Sequence, residues 1–599
     1  MRHGDFLNAF SEIRTVQDTV MTKDDDFRVR PGRIRSRSAE RARPFIHQAL
    51  AAAQRAGGHV SRTGKITSGR RGHMGRGRVA TIRANRLITR RSRFCTVKTR
   101  VVRQNGQSAP LSRHLSYLRR EGVTRDGEKA CMFGADTDDV DVKAFTERGE
   151  DDRHYFRFIV SPEDAVEMAD LKTFARDLMA QVERDLGTSL DWLAVDHWNT
   201  DNPHVHIIVR GRADDSRDLV IDRDYIRQGM RDRAQDIATQ ELGPRNDQQI
   251  RRMLDRQVEA ERWTQLDRQL QSDADRQGII DIAPTPDKPT DEYLTLKVGR
   301  LRKLESLGLA TEIGSGQWVM AEEAEPTLRA LGERGDIIKR MHQSLTAHGL
   351  DRGPAGFVLS AEEIDTRVIG RLLDRGLHDE LYGSAYAIVD GIDGRAHHIR
   401  FHDLEATGDS PPGSIVELRR YEDAKGRESV ALAVRSDFSL AEQIHADGAT
   451  WLDRQLVGRN PAELGEGGFG REVKEALDAR TEHLIEEGLA RRAGQCVILA
   501  RNLIATLRDR EVDRLAQQLV SETGLPFVKP TGGDNVTGIY SRRFSLASGR
   551  FAMIDDGLGF QLVPWSPSIE KHLGRHVSGI SRAHGGVDWS LGRKRELGL

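Results

Sequence analysis

The stretch Asp191–Arg210 restricts the local fold strongly, because two apolar runs in it flank a cluster of turn-forming residues. The pattern in DWLAVDHWNTDNPHVHIIVR is typical of a β-hairpin. Side chains alternate between faces along a strand, so His204 and His206 should lie on one face, and the turn should return His197 beside them. Three imidazoles without a cysteine predict a site for a borderline divalent cation that keeps positions open for substrate.

The residues HWNTDNPHVH, His197–His206, resemble the three-histidine motif of conjugative relaxases, the mobilisation nucleases that nick plasmid DNA. Many relaxases carry an acid where this chain has Asn199, which leaves Asp201 or Asp196 as the acidic residue that supports the site. The resemblance implies that the three histidines bind a divalent metal ion, with Mg²⁺ or Mn²⁺ as the first expectation. It also implies a catalytic role for Asp201.

A second motif lies upstream, where the leucines of LSRHLSYLRRE, residues 111–121, recur at helical spacing and predict an amphipathic helix. On these residues alone, a packing role or a phosphate contact explains Tyr117. The stretch YLRREG, Tyr117–Gly122, resembles the relaxase segment that carries the nucleophilic tyrosine, and it precedes the histidine motif as in that family. The resemblance therefore implies that Tyr117 is the nucleophile. The neighbouring arginines that we expect to bind DNA are Arg113, Arg119 and Arg120.

Residues 153–162 (RHYFRFIVSP) alternate as a strand that ends at Ser161-Pro162. Relaxases carry a similar strand whose terminal serine helps to hold the DNA, which implies that role for Ser161 and a DNA contact for Arg157. An alternative explanation, which can hold together with the first, is that Ser161 caps the helix expected over residues 162–186. Together with a strand at residues 96–102, these elements predict an α+β domain of the relaxase (HUH) type, an antiparallel sheet with helices on one face.

The formal net charge is zero, but the charges are segregated along the chain. Residues 27–103 contain 22 Lys and Arg and a single acid, Glu40. Tracts such as RTGKITSGRRGHMGRGR cannot build a core. We expect residues 1–95 to form a basic, mostly disordered arm that binds phosphate without sequence preference, with a solvated tail as the alternative.

The second half of the chain contains an internal repeat. LDRQL at residues 266–270 recurs at residues 452–456, and Gly-Leu-Ala at residues 308–310 recurs at residues 488–490 before a predicted hairpin. Each copy predicts a winged helix followed by a small β-barrel-like domain, similar to a C-terminal extension of undefined role in relaxases. In the first copy, the expected DNA contacts are Arg300, Arg302 and Lys303. The predicted domains are 96–250 (nuclease), 251–345 and 436–520 (winged helices), and 346–435 and 521–599 (small β domains).

The three cysteines have no paired spacing, no apolar run is long enough for a membrane span, and the N-terminus lacks a signal-peptide core. These features predict a cytoplasmic protein, and the relaxase resemblance implies a bacterial cell. By resemblance, it would travel with the DNA into a recipient cell.

The expected function is site- and strand-specific nicking and rejoining of DNA at a transfer origin, through a 5′-phosphotyrosyl adduct on Tyr117. By resemblance, the partners are single-stranded and duplex DNA, relaxosome accessory proteins and a type IV secretion coupling protein. Two alternatives stay open. One is a metal-dependent hydrolase that uses water, with Tyr117 only stacking on a base. The other is a non-catalytic regulator that binds duplex DNA through the winged helices.

Overall fold

A computed structural model describes residues 58–60, 66–68, 91–104, 110–121, 124–198, 202–274, 278–283, 294–359, 367–422, 426, 428–459, 461–582 and 585–590. The chain divides into two compact units: unit 1, Met1–Arg252, and unit 2, Met253–Leu599. Among the helices in the described ranges, none is long and apolar enough to cross a lipid bilayer.

Unit 1 combines one four-stranded sheet with helices. Its elements in chain order are β1 (Gly58–Val60), β2 (Ile66–Ser68), β3 (Cys95–Arg103), α1 (Pro110–Glu121), α2 (Val142–Arg148), β4 (His154–Pro162), α3 (Leu171–Leu186), β5 (Trp192–His197), β6 (His204–Arg210), α4 (Met230–Leu242) and α5 (Asp247–Val258), which runs across the unit boundary.

The main sheet of unit 1 is antiparallel, with the strand order β3-β4-β6-β5. In the β5–β6 hairpin, His197 lies opposite His204, and Val195 lies opposite His206. The predicted hairpin is therefore confirmed, and strand alternation places all three histidines on one face. We call this the histidine face.

Helices pack on both faces of this sheet, whereas we had expected helices on one face only. On one face, α3 and α4 bury an apolar cluster that includes Phe174 and Leu178. On the histidine face, α1 and α2 bury a second cluster that includes Leu115, Leu118 and Phe145. The second layer forms because the apolar stripe of α1 requires burial, and the strands offer apolar residues on this face as well.

The helix expected to begin at residue 162 begins at Leu171. The side chain of Asp170 accepts hydrogen bonds from the backbone N–H groups of Lys172 and Thr173 and so caps α3. Ser161 lies within β4 and is not the cap, which removes the alternative explanation for that residue.

Most of the predicted basic arm lies outside the described residues. Within it, β1 and β2 pair as a short antiparallel hairpin, in a tract for which we had expected no structure. Near its end, Arg93 is buried and donates hydrogen bonds to Asp164 Oδ2 and to the Gly243 carbonyl oxygen, both at 3.0 Å. The folded part of unit 1 therefore includes residues before 96.

Unit 2 alternates helical segments with sheets. Its elements are α6 (Gln265–Asp273), β7 (Ile279–Asp281), α7 (Leu294–Ser306), β8 (Ala310–Gly314), β9 (Gln317–Met320), α8 (Ala324–Ala347), β10 (Phe357–Leu359), β11 (Ile369–Asp379), β12 (Ser384–Gly391), β13 (Ala396–Phe401), β14 (Ile415–Glu422), β15 (Glu428–Ser436), α9 (Leu440–Ile444), α10 (Trp451–Val457), α11 (Gly468–Glu486), β16 (Ala490–Ala493), β17 (Cys496–Leu499), α12 (Leu503–Thr523), β18 (Asn535–Leu546), β19 (Gly549–Asp555), β20 (Phe560–Pro564), β21 (His576–Ser581) and β22 (Val587–Trp589).

Two larger sheets follow the two helical segments. The first has the order β10-β13-β12-β11-β14-β15 and is antiparallel except for the β10–β13 pair, and the second has the order β20-β19-β18-β21-β22 and is antiparallel. The chain is thus an α+β protein with several antiparallel sheets.

The repeat seen in the sequence has matching contacts in unit 2. In each copy a threonine, Thr264 or Thr450, forms a capping box with the aspartate three residues later. A fully buried arginine, Arg300 or Arg480, donates two hydrogen bonds to that aspartate. The two helix–helix–hairpin segments therefore share a specific internal anchor. Their assignment as winged helices stays a prediction.

Candidate metal and tyrosine site

Three histidines converge on the histidine face of unit 1. His197 is the last residue of β5, and His204 and His206 are the first and third residues of β6. Residues 199–201 of the intervening turn lie outside the described residues. The histidines are almost fully buried, with exposed fractions of 3%, 7% and 4%. Buried imidazoles that face one another instead of solvent are suited to share a ligand.

The three rings are close enough to share one ion. Ring centroids are 5.3 Å apart for His197 and His204, 4.7 Å for His197 and His206, and 5.0 Å for His204 and His206. Each histidine offers a nitrogen within 4.8 Å of a nitrogen of the other two. The Nε2 atoms of His204 and His206 are 3.2 Å apart, near the roughly 3.3 Å that separates two nitrogens bound tetrahedrally to one ion.

These donors could hold a metal ion, but they do not identify it. Imidazole nitrogens suit zinc, nickel, copper or iron, whereas Mg²⁺ and Mn²⁺ prefer oxygen ligands. The expected Mg²⁺ or Mn²⁺ would therefore have to take oxygen ligands from substrate or water in addition to the three histidines.

Backbone carbonyl groups orient two of the rings. Nδ1 of His204 lies 2.8 Å from the carbonyl oxygen of Asn202. A carbonyl oxygen only accepts, so Nδ1 carries the hydrogen, and in the neutral ring Nε2 keeps its lone pair. Nε2 of His197 lies 3.3 Å from the carbonyl oxygen of Leu118 and donates to it in the same way. Such contacts fix the tautomer and orientation of metal-binding histidines.

The last turn of α1 borders this cluster. The final four carbonyl groups of a helix have no partner within it, and Leu118 carries one of them in α1. His197 therefore donates to a carbonyl group in the last turn of α1. Tyr117, the residue before Leu118, is half-buried against the apolar cluster that contains Val195. The structure thus brings the tyrosine segment and the histidine hairpin into direct contact.

Ser161 lies at the end of β4, beside the hairpin turn. Its hydroxyl donates to the carbonyl oxygen of Pro203 at 3.2 Å. Because Pro203 immediately precedes His204, Ser161 helps to fix the start of β6. This contact is compatible with the predicted DNA-holding role but does not test it.

The structure describes only one of the two acids considered for the site. Asp201 lies outside the described residues. Asp196 is buried and accepts a hydrogen bond from the indole N–H of Trp198 at 2.7 Å. Because adjacent strand residues face opposite ways, Asp196 lies on the sheet face away from the ring of His197.

The predicted DNA-binding arginines of unit 1 differ in exposure. Arg119 is exposed, whereas the side chains of Arg113 and Arg120 lie outside the described part of the chain. Arg157 is buried on the central strand β4 and donates Nη2–H to the Tyr155 hydroxyl at 2.6 Å. Burial also lowers the pKa of the Arg157 guanidinium. A buried side chain cannot reach a DNA backbone, so this placement is at odds with the predicted contact of Arg157.

Strand β3 adds two cationic residues that sequence reasoning missed. Lys98 and Arg100 alternate with the buried Val97, which places them on the histidine face. Lys98 is exposed and pairs with Ile159, which in turn pairs with His206 on the next strand. The alternation in TVKTRVV contained this signal.

In unit 2, one of the three predicted DNA contacts is buried. Arg300 is fully buried: beyond its pair with Asp267, its Nη1 donates to the carbonyl oxygens of Val258 and Ala260. A side chain with these internal contacts stabilises the fold and is not available to DNA. Arg302 is exposed, and Lys303 pairs with Glu261 at 3.0 Å.

Comparison with known proteins concerns unit 2. The model of a family described as protein of unknown function (DUF3363) matches residues 297–425 and 418–598. Together the two matches span residues 297–598, just over half of the chain. No curated protein and no solved structure matches the chain significantly. The three histidines and Tyr117 lie outside the matched residues. On this match, the chain belongs to the DUF3363 family.

Proposed function

We propose that unit 1 nicks and rejoins single-stranded DNA at a specific site in a transfer origin by tyrosine transesterification. The observation that carries the proposal is the contact of His197 with the carbonyl group of Leu118, next to Tyr117. The resemblance of both motifs to those of conjugative relaxases supports the same assignment. In this proposal the protein acts in a bacterial donor cell with relaxosome proteins and a secretion coupling protein, and it accompanies the DNA to the recipient.

In the nicking step, the phenol oxygen of Tyr117 attacks the scissile phosphorus. The new O–P bond replaces the P–O3′ bond, and the proton lost by the phenol ends on the 3′ oxygen. The products are a 5′-phosphotyrosyl strand and a free 3′-hydroxyl. One phosphodiester replaces another, so the step is close to thermoneutral, and the 3′-hydroxyl can reverse it.

The surrounding residues must favour the phenolate, because a free tyrosine has a pKa near 10. Arg119 follows Tyr117 by two residues and is exposed, so it can neutralise negative charge on the DNA at this end of α1. A divalent ion held by the three histidines would polarise the scissile phosphate and offset its charge. The hydrogen bonds of His197 and His204 to backbone carbonyls hold the rings in place for that ion.

The DNA strand would lie along the histidine face. The exposed Lys98 and the neighbouring Arg100 of β3 supply positive charge on this face, two strands away from β6. Contacts to phosphate position a strand without reading its sequence, and they make binding depend on salt. Selection of the nick site would then come from contacts with bases.

The test is an adduct assay with the full-length chain. Single-stranded oligonucleotides labelled at the 3′ end would tile the DNA on either side of the chain's own gene, with Mg²⁺ or Mn²⁺ present. We expect the label to migrate with the protein on a denaturing gel, because the 5′ end of the labelled fragment becomes bonded to Tyr117. Tyr117→Phe should lose both adduct and cleavage. Tyr421→Phe, at an exposed tyrosine of unit 2, is the matched control.

Two outcomes would contradict the proposal. Cleavage by Tyr117→Phe at the wild-type rate would indicate a hydrolase that uses water. Tight duplex binding by the wild-type chain, with no cleavage of any tiled oligonucleotide, would indicate a non-catalytic regulator.

A further inference from the structure

The hairpin of the first repeat copy is completed by a third strand from the same chain. β7 pairs antiparallel with β9, with Ile280 opposite Trp318, and the order is β7-β9-β8. The backbone N–H of Ile282 also donates to the carbonyl oxygen of Gly316 at 2.9 Å. With β7 in place, the exposed fraction of Trp318 is only 3%.

The second copy lacks this strand in the part of the chain that the structure describes. β16 and β17 form a two-stranded sheet, and the described residues between α10 and α11 contain no strand. Ala490 pairs with Leu499 as Ala310 pairs with Met320, so Val497 corresponds to Trp318. Val497 is 38% exposed.

Other apolar residues around the same position are exposed as well. Ile498, the next residue of β17 and on its opposite face, is 44% exposed, and Val457 of α10 is 43% exposed. In the LDRQL register, Val457 corresponds to Gln271 of α6, the helix that β7 contacts in the first copy. The second copy therefore exposes apolar surface where the first copy is covered.

The backbone of β17 can accept a strand at this edge. Ala493 and Cys496 flank a two-residue turn, so they form a hydrogen-bonded pair, and the next pair, Arg492 and Val497, is a non-bonded one. The N–H and C=O groups of Val497 consequently point away from β16, toward the outer edge. In the first copy, the corresponding groups of Trp318 face Ile280.

We propose that the outer edge of β17 is a docking site for an extended, acidic peptide of a partner protein, which adds as a third antiparallel strand. Strand addition of this kind gains affinity from main-chain hydrogen bonds and specificity from alternate side chains. In the first copy, the third strand β7 has two apolar residues followed by an acid, Ile279-Ile280-Asp281.

The charges of the residues around β16 and β17 favour an acidic partner. Residues 488–502 (GLARRAGQCVILARN) contain three arginines and no acid. The corresponding residues 308–322 of the first copy (GLATEIGSGQWVMAE) contain two glutamates and no cation. Arg492 pairs with Glu482 of α11, whereas Arg491 is exposed on β16, opposite Ile498. An acidic strand would gain favourable charge interactions beside β17 that it would lack beside β9.

The experiment is a fluorescence anisotropy titration of the full-length chain with a labelled peptide GIIDIA, the sequence of residues 278–283. We expect saturable binding with a dissociation constant below about 1 mM. The peptide GIPDIA, which lacks the central N–H, should bind at least tenfold more weakly. In hydrogen-exchange mass spectrometry, the bound GIIDIA peptide should slow exchange in residues 490–499.

Val497→Pro removes the outward N–H without removing a bond to β16, and edge strands tolerate proline. This variant should keep the wild-type melting temperature and bind GIIDIA at least tenfold more weakly. Equal binding of both peptides by the wild-type chain would overturn the proposal, and this comparison needs no variant. The proposal also fails if an unlabelled duplex oligonucleotide, and not GIIDIA, protects residues 490–499, or if the chain alone dimerises and protects them.

Discussion

The carbonyl oxygen of Leu118 lies 3.3 Å from Nε2 of His197, and this contact joins the end of α1 to the histidine hairpin. A hydrogen bond of this kind contributes on the order of 1 kcal/mol, so the helix end and the imidazole stabilise each other's position. A change at His197 should therefore affect both the cluster and the helix that carries Tyr117.

The first prediction separates these two effects. His197→Ala and His206→Ala should each lower bound divalent metal, measured by mass spectrometry after dialysis, from about one ion per chain to less than a tenth, since each removes a ligand. Only His197→Ala should speed hydrogen exchange in residues 111–121, by about tenfold, because it alone removes the hydrogen bond between the imidazole and the Leu118 carbonyl group.

The control for metal loss is His402→Ala, at an exposed histidine of unit 2. It should retain the wild-type metal content. Equal exchange rates for α1 in both cluster variants would show that the contact of His197 with Leu118 does not hold the helix end.

The second prediction concerns the basic residues of β3. Lys98→Gln should weaken single-strand binding and reduce the slope of log affinity against log salt by about 0.7, the contribution of one phosphate contact. Arg103→Gln is the matched control, because Arg103 is exposed on the same strand but on the opposite face. Binding isotherms at four salt concentrations provide the slopes. Identical slopes for both variants would place the DNA away from the histidine face.

Local patterns were sufficient for the histidine hairpin. Alternation and the Asn-Asp-Pro turn are set by neighbouring residues, so the pairing of His197 with His204 followed from the sequence. The position at which α1 packs on the sheet was not predictable in this way. It depends on packing between Leu115 and strand residues such as Val195, about 80 positions later, and a single sequence does not encode that contact visibly.

For Arg300, the neighbouring residues in the sequence were misleading. Its neighbours in the sequence are basic, which suggested a DNA surface, but its partner Asp267 is 33 residues earlier. Burial is decided by that distant aspartate and by the carbonyl groups around it. The repeat contained the missing signal, because both the aspartate and the arginine recur in the second copy as Asp453 and Arg480.

The third prediction tests this structural role. Arg300→Met leaves Asp267 buried without its partner and should lower the free energy of unfolding of unit 2 by about 3–5 kcal/mol in urea titrations. Replacing both residues, Arg300→Met with Asp267→Leu, should recover part of this loss because no unpaired charge remains. Arg302→Gln, at an exposed position, should change the stability by less than about 0.5 kcal/mol. A stable Arg300→Met that binds duplex DNA poorly would restore the DNA assignment.

The last prediction concerns a buried histidine of unit 2. Burial, aided by His378, Arg340 and Arg400, lowers the pKa of His398 to about 3, from an ordinary value of 6.5. The His398 ring stacks on Tyr386, with ring centroids 5.5 Å apart. Between pH 6.5 and 3 the unfolded chain therefore binds a proton at this position that the folded chain does not. Stability must fall as the pH falls through this window, by about 3 kcal/mol at pH 4.5 relative to pH 7.5.

His398→Phe keeps a ring against Tyr386 but removes the titration, so the melting temperature of unit 2 should fall less between pH 7.5 and 4.5 than in the wild-type chain. Differential scanning calorimetry at both pH values gives the two shifts, with His402→Ala, at an exposed histidine, as the control. His378 also has a pKa lowered by burial, so part of the acid sensitivity should persist in His398→Phe. An acid shift as large in His398→Phe as in the wild type would mean that His398 takes up its proton without unfolding.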